Sequence, residues 1–302
     1  MKKVELCTYR NVLNYNREQP KQTPNQIYKN IQLNQKEIAK EKRRKEQESN
    51  KYINENYNDL FEKMEVFLFI VSVYQTSIIE FFNNLPANLK EENGEKIKAL
   101  NLVLITLLEK YNEIIYLLKG GFLYGALSGL RSILELTVIT YIISSSNNET
   151  AHEYFLFANK EDDYYNWSKK SKLVKEKIEK SNHFKERNIR FNFLKKIFEE
   201  NVSKTFSKWY EECSKYIHKS PKKVIERYEN DDDLINTSFG VVKDQLELPA
   251  KIATLLMMIC CSFLDFREDD RKSKEILYIL DKECADIVEK CDVLNSIHMD
   301  KN

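Results

Sequence analysis

Glycine and proline are scarce in this sequence, with six glycines and five prolines among 302 residues. Strands joined by tight turns need both residues repeatedly, because glycine supplies positive φ and proline pre-sets the turn backbone. Their scarcity therefore argues against a turn-rich β fold and favours long helices. Hydrophobic residues make up 42% of the chain and charged residues 31%, which provides enough apolar material for a buried core.

Cysteine pairs with C-x-x-C spacing are missing, although the chain has six cysteines. Without such pairs, and with no signal peptide, we expect reduced thiols and a cytoplasmic protein. A single E-x-x-H pair, Glu149 and His152, has no second copy, whereas carboxylate-bridged dimetal bundles use two such pairs and two further glutamates. The sequence therefore predicts no metal site and no cofactor.

Several sequence motifs of enzymes are also absent. Neither G-x-G-x-x-G nor G-x-x-x-x-G-K-[ST] occurs, so no glycine-rich phosphate loop is expected.

The apolar run 252–264 is too short to span a bilayer, and the longer segment 121–144 carries Arg131 and Glu135 at its midpoint. We therefore predict no transmembrane helix and no membrane partner.

Apolar residues recur at helical spacing along most of the chain, and no convincing alternation of strand type occurs. We predict an all-α fold, a single multi-helix bundle. Residues 1–30 are expected to form a disordered polar arm, 31–270 the bundle domain, and 271–302 a charged amphipathic helix that packs on the bundle. Leu85-Pro86 and the run 91–94 together predict one helix break, and Gly120-Gly121 predict a second. A charged helix is predicted over 164–180.

Four of the six glycines fall within ten residues, at 120, 121, 125 and 129. On a helix, Gly121, Gly125 and Gly129 recur every fourth residue and form a smooth strip against which another helix packs closely. Each glycine inside a helix costs about 0.8–1 kcal/mol relative to alanine, so their retention indicates a packing role. The spacing leaves open whether the partner helix belongs to the same chain, to a second copy or to a partner protein.

Charge is strongly segregated although the formal net charge is +1. Residues 165–225 contain 17 Lys and Arg against 7 Asp and Glu, a net of +10, and residues 226–302 contain 10 against 18, a net of −8. Lys169, Lys170, Lys172 and Lys175, with the aromatic residues near them, are candidate contacts to RNA or another polyanion. The alternative is that both segments are ordinary solvated faces.

Two segments together suggest a family. The stretch from Gly121 to Glu135 (GFLYGALSGLRSILE) and the later stretch from Trp209 to Pro221 (WYEECSKYIHKSP) resemble an uncharacterised bacterial family of helical domains, over roughly residues 60–265. That family is similar in architecture to HEPN-type bundles, some of which serve in toxin–antitoxin or phage-defence systems. The R-x4–6-H motif of HEPN ribonucleases does not occur in this sequence.

The resemblance implies that Arg131, Glu135 and His218 are the family's matching positions. As a catalytic set, His218 would act as acid or base and Arg131 would hold a phosphate or oxyanion. The structural alternative is a buried ion pair and a histidine that caps its helix.

Three functions follow as hypotheses from these observations. The first is a nucleic-acid-directed effector, a metal-independent RNase of toxin or antiviral defence type. The second is a non-catalytic helical module for dimerisation or binding of a partner protein. The third is a sensor of a small molecule or nucleotide.

Overall fold

The computed structural model describes residues 24–157, 165–180, 189–217, 245–264 and 271–299 of the chain. Within these ranges the chain forms α-helices and one short 3-10 helix but no strand, so the predicted all-α bundle is confirmed. The helices are α1 (Pro24–Asn84), α2 (Ala87–Lys119), α3 (Leu123–Ser144), α4 (Asn148–Phe157), the 3-10 helix (Asn166–Lys170), α5 (Lys172–Lys180), α6 (Phe191–Asn201), α7 (Thr205–Ile217), α8 (Glu247–Phe263) and α9 (Arg271–Met299).

The predicted N-terminal arm is divided by the start of α1. Residues 1–23 lie outside the described residues, and residues 24–30 form the first turns of α1. This helix is 61 residues long, so at 1.5 Å rise per residue it extends about 90 Å. Its apolar stripe is buried in the core from Ile53 onwards.

The connection between α1 and α2 is shorter than the sequence predicted. Pro86 precedes the first residue of α2, where a fixed φ and a missing N–H suit a helix start. The helix then runs through Gly94, so the expected break at 91–94 does not occur. Gly94 is buried, and a Cβ there would lie 3.6 Å from the ring of Phe82, which is an ordinary contact.

Gly120 and Gly121 end α2 in a Schellman motif. The Gly121 N–H donates to the Leu118 carbonyl (2.9 Å) and the Phe122 N–H donates to the Leu117 carbonyl (2.7 Å). Gly121 has φ 72°, a left-handed conformation that favours glycine. Gly121 therefore lies in the turn and not on the helical strip that the sequence predicted.

Gly125 and Gly129 lie on α3 and face α2 of the same chain. A Cβ on Gly125 would lie 3.2 Å from Leu117 Cδ2, and a Cβ on Gly129 would lie 3.2 Å from Ile114 Cγ1. Both distances are tighter than usual, so the missing side chains let α2 and α3 approach closely. The partner of the glycine strip is thus an intramolecular helix.

The centre of the core is formed by α3 and α8, which are apolar and largely buried. Several polar groups that reach this core are hydrogen-bonded. The hydroxyls of Tyr111 and Thr254 lie 2.7 Å apart, and the Tyr57 hydroxyl donates to the buried carboxylate of Glu247 (3.1 Å). These bonds connect α1 and α2 to α8 and satisfy groups that would otherwise destabilise the core.

The C-terminal helix α9 begins at Arg271 and runs antiparallel to α1. Lys290 Nζ lies 2.7 Å from the Asp59 carboxylate, and Lys272 Nζ lies 2.9 Å from the Glu80 carboxylate at the other end of the pair. α9 also packs on α8, and its inward positions include the buried residues Leu280 and Ile287.

The predicted charged helix over 164–180 is interrupted. Ser171 has ψ 132°, an extended backbone that separates the 3-10 helix from α5. Its side chain is buried and accepts a hydrogen bond from the Ser146 hydroxyl (2.7 Å). The contact between Ser146 and Ser171 stabilises this interruption of the helix. The spacing of charged residues along the sequence does not predict such a contact.

Two helices in the described part of the chain are long and apolar enough to cross a membrane by length and composition. They are Glu46–Asn84, within α1, and Leu123–Ser144, which is α3. In α3 67% of the most apolar window is buried inside the bundle, as expected for a core helix.

Candidate functional site

Arg131 and Glu135 lie one turn apart on α3, where this helix packs against α7. Their i, i+4 spacing places them on one helix face, and Arg131 Nε donates to Glu135 Oε1 (3.2 Å). The Arg131 side chain is 19% exposed and the Glu135 side chain 31%. The pair is therefore shielded from bulk water but still reachable from it.

Tyr210 on α7 binds both members of this pair. Arg131 Nη2 donates to the Tyr210 hydroxyl (2.8 Å), and that hydroxyl lies 3.4 Å from Glu135 Oε1, to which it donates. The guanidinium carbon of Arg131 is 4.9 Å from the centre of the Tyr210 ring. Phe191 on α6 packs against the same ring at 5.0 Å.

A second ion pair extends the site along α6. Lys195 Nζ lies 3.3 Å from the Glu199 carboxylate and donates to the Ser207 hydroxyl at 2.9 Å. Ser207 in turn donates to Glu199. Lys195 Nζ also lies 5.1 Å from the centre of the Tyr210 ring, so this aromatic ring has two cations near it.

We call this group of residues the Tyr210 cluster. It contains two cations, two carboxylates, a phenol and a hydroxyl from three helices: Arg131, Glu135, Lys195, Glu199, Ser207 and Tyr210. Each cation of the cluster lies beside a carboxylate, so removing one partner would leave an uncompensated charge in a partly buried place. An incoming anion would compete with the carboxylates for the two cations.

The hydroxyl of Tyr210 stays protonated at neutral pH. Burial raises the pKa of Tyr210 above its usual value, and the negative charge of Glu135 raises it further, whereas Arg131 lowers it. A neutral phenol both accepts from Arg131 and donates to Glu135, which fixes the orientation of each.

His218, the third candidate catalytic residue, lies outside the described residues, since α7 is described as far as Ile217. The structure thus locates Arg131 and Glu135 of the predicted set and joins them to Tyr210. On α7, one turn after Tyr210, the Ser214 hydroxyl donates to the Tyr210 carbonyl (2.6 Å).

The four candidate lysines lie on the 3-10 helix and on α5. Lys170, Lys172 and Lys175 are exposed, and Lys169 is half-buried. Two of the exposed ones have carboxylate neighbours. Lys170 donates to Glu149 (2.8 Å), which holds the pKa of that carboxyl below its usual value, and Lys172 lies 3.9 Å from Glu176.

The aromatic residues of this segment are core residues in the described part. Trp167 is buried and packs edge-on against Tyr154 at 5.0 Å, so it cannot stack on a nucleic-acid base. Tyr165 contacts Phe191 at 5.8 Å, and Phe191 contacts Tyr210. This aromatic row connects the lysine-bearing segment to the Tyr210 cluster.

The described residues contain no group of three or more His, Cys, Asp and Glu side chains that could hold a metal ion. The E-x-x-H pair noted in the sequence does not converge. Lys170 engages Glu149, and His152 Nδ1 lies 3.4 Å from the Glu95 carboxylate on α2.

Sequence reasoning missed Tyr210 and Lys195 as members of the site. In the sequence, Tyr210 lies beside Trp209 and four residues after Phe206, a pattern typical of an apolar core face. A signal was present, because Ser207 and Ser214 lie three residues before and four after it and mark a polar edge of that face. Lys195 and Glu199 have i, i+4 spacing on α6, but this spacing does not reveal their contacts with Ser207 on α7.

Residues 98–234 match the sequence profile of a family described as a family of unknown function (DUF5677). The matched range includes every residue of the Tyr210 cluster. The resemblance to an uncharacterised family is confirmed at this level. No curated protein and no solved structure matches the chain.

Proposed function

We propose that this protein is a nucleic-acid-directed effector of HEPN-like form, a metal-independent ribonuclease that acts in toxin or phage-defence systems. The observation that carries the proposal is the half-buried Arg131 guanidinium, held between the Glu135 carboxylate and the Tyr210 hydroxyl with Lys195 beside the same ring. Cations held in this way suit the charge that develops on a phosphate during cleavage.

In the proposed reaction the 2′-oxygen of RNA attacks the adjacent phosphorus. The O2′–P bond forms and the P–O5′ bond breaks, which leaves a 2′,3′-cyclic phosphate and a 5′-hydroxyl. Arg131 binds the non-bridging oxygens, Glu135 accepts the proton of the 2′-hydroxyl, and His218 donates a proton to the leaving 5′-oxygen. Tyr210 orients Arg131 and Glu135 through its hydroxyl.

The lysine-bearing segment supports this proposal by its position. The row Tyr165, Phe191 and Tyr210 places the start of the segment two aromatic contacts from the cluster. Lys172 and Lys175 extend the positive surface beyond it, and the net charge of +10 over residues 165–225 favours approach of a polyanion.

The test measures cleavage of single-stranded RNA by the purified protein in the presence of EDTA. We expect the wild type to produce 2′,3′-cyclic phosphate ends. Arg131→Gln and Glu135→Gln are each expected to lower the cleavage rate by about 100-fold or more, because each removes a group that acts in the transition state.

Arg271→Gln provides the matched control, since Arg271 is an exposed arginine at the start of α9, outside the cluster and outside the positively charged range 165–225. Its cleavage rate should equal that of the wild type. Unchanged cleavage by a folded Arg131→Gln variant contradicts the assigned site. A wild type that neither binds nor cleaves RNA contradicts the proposed function.

A further inference from the structure

The solvent-facing side of α1 and α2 carries large exposed apolar side chains. Phe69 is 67% exposed and Tyr116 is 71% exposed. We call this surface the α1–α2 face, and it consists of Val66, Phe69 and Val73 on α1 and Leu102, Ile105 and Tyr116 on α2. Neighbouring residues within each set are three, four or eleven positions apart, which is close to a whole number of helical turns. Each set therefore lies on one side of its helix.

The two sets form one continuous surface because the helices are antiparallel neighbours. Lys119 pairs with Glu65 near one end, and Gln75 Nε2 donates to Asn101 Oδ1 (3.0 Å) towards the other. In this register the Val66 end of the α1 set lies towards Tyr116, and the Val73 end lies towards Leu102 and Ile105.

α1 is much less buried than its composition predicts. In the most apolar stretch of Glu46–Asn84 28% is buried, whereas in the equally apolar stretch of Leu123–Ser144 67% is buried. Apolar surface left in water costs about 25 cal/mol per Å². Covering the α1–α2 face therefore provides a driving force for association.

We propose that the α1–α2 face binds the same face of a second copy of this chain and forms a two-fold symmetric dimer. The exposed fractions give the six residues about 600 Å² of accessible surface, at the upper end for an apolar patch on a monomer. A standard interface buries about 800 Å² on each partner. The six residues and a narrow rim around them meet this requirement, and two helices from each copy would pack as a four-helix layer.

The charges at the edge of the face are compatible with self-association. Glu65 pairs with Lys119, Glu113 pairs with Lys110 at 2.7 Å, and Glu80 pairs with Lys272 at 2.9 Å. Because Glu65, Glu80 and Glu113 are neutralised within the chain, these three carboxylates do not strongly repel the same rim of a second copy. Glu62 and Glu109, four residues from Val66 and Ile105, are exposed carboxylates whose repulsion the apolar contact has to exceed.

This inference is independent of the proposed ribonuclease activity. It also assigns the dimer contact to a surface other than the glycine strip, since Gly125 and Gly129 pack against α2 within the chain.

The test is sedimentation equilibrium of the full chain in buffer without detergent. We expect the wild type to have twice the chain mass of 36.0 kDa. Phe69→Glu and Ile105→Glu each place a carboxylate at the centre of the face, and each should raise the dimer dissociation constant at least about 30-fold. Both residues are exposed in the single chain, so circular dichroism should show unchanged helix content.

Leu248→Glu is the matched control, because Leu248 is a 53% exposed apolar residue on α8, which packs against the buried sides of α1 and α2, opposite the face. Its dimer should be as stable as that of the wild type. A monomeric wild type overturns the proposal, and so does a dimer that survives Phe69→Glu together with Ile105→Glu. A wild type that stays monomeric but binds phosphatidylcholine vesicles through this face also overturns it, in favour of a membrane as the occupant.

Discussion

At the scale of single residues, Tyr210 combines two interactions that differ in kind. Its hydroxyl exchanges hydrogen bonds with Arg131 and Glu135, and its ring packs against Phe191 on one helix while Lys195 lies near it. The ring anchors the residue in the core, so the hydroxyl is held in one place. This explains how a charged pair in a largely apolar helix keeps a defined geometry.

Removing this hydroxyl tests its contribution. We predict that Tyr210→Phe lowers the free energy of unfolding by about 1–2 kcal/mol, because hydrogen bonds to two charged groups are lost while the ring remains. Urea denaturation followed by circular dichroism measures the change. The control is Tyr278→Phe, whose ring is exposed on α9 and whose replacement should change the unfolding free energy by less than about 0.5 kcal/mol. Equal unfolding free energies for the two variants would contradict a stabilising role of the Tyr210 hydroxyl.

At the scale of helices, the close contact of α2 and α3 depends on Gly125 and Gly129. A Cβ on Gly125 or Gly129 would lie only 3.2 Å from Leu117 or Ile114, so there is no room for a larger side chain. The turn before α3 has a separate requirement, because Gly121 has positive φ. Neighbouring glycines in one motif thus serve two purposes, helix packing and chain reversal.

Substitutions of Gly125 distinguish the effect of close helix packing from the effect of helix propensity. We predict that Gly125→Leu destabilises the protein by about 1–3 kcal/mol or more through overpacking. In Gly125→Ala, a helix-propensity gain of about 1 kcal/mol offsets the tighter contact, so its stability should stay near that of the wild type. Ser128→Leu, at an exposed position of the same helix, is the control. Equal unfolding free energies for Gly125→Leu and Ser128→Leu would contradict close packing at this glycine.

The salt dependence of RNA binding tests whether the lysines of α5 contact RNA. We predict that Lys172→Glu together with Lys175→Glu weakens RNA binding and lowers the slope of log K against log salt by about 1–2, because up to two phosphate contacts are lost. Fluorescence anisotropy with labelled single-stranded RNA measures both quantities. Lys274→Glu with Lys282→Glu on α9 makes the same change in net charge elsewhere. If this control weakens binding equally, general charge and not the α5 segment governs RNA binding.

At the scale of the whole molecule, the core contains thiols and phenols that are buried in their neutral form. Burial raises the pKa of Cys260 and Cys284 to about 11 and that of Cys291 to about 12, and it also raises the pKa of Tyr111. The unfolded chain loses these protons at lower pH than the folded chain. Stability from these groups is therefore complete at pH 8 and decreases as the pH rises above about 9.

This linkage predicts a falling urea midpoint between pH 8 and pH 10.5. Each buried thiol contributes about 1.5–2 kcal/mol of lost stability by pH 10 when its pKa is about two units above that of a free thiol. At pH 8 the five described cysteines should react with a thiol reagent after denaturation and remain unreactive in the folded protein. A midpoint that stays constant over this range would contradict burial of these thiols.

The sequence alone determined the all-α class, the C-terminal helix from Arg271 and the pairing of Arg131 with Glu135. These features depend on spacing along one helix or on composition, and both can be read from a linear chain. Helix ends were predicted less well where a tertiary contact decides them, as at Ser171, which is held by Ser146 from another part of the chain.

Only the tertiary structure decided which helices meet. It placed the Tyr210 hydroxyl between Arg131 and Glu135, added Lys195 from α6, and showed that the glycine strip packs on α2 of the same chain. It also showed that the apolar side chains of the α1–α2 face remain exposed, although similar residues elsewhere form the core. Periodicity identifies the apolar face of a helix, but what covers that face depends on the packing of segments distant in the sequence.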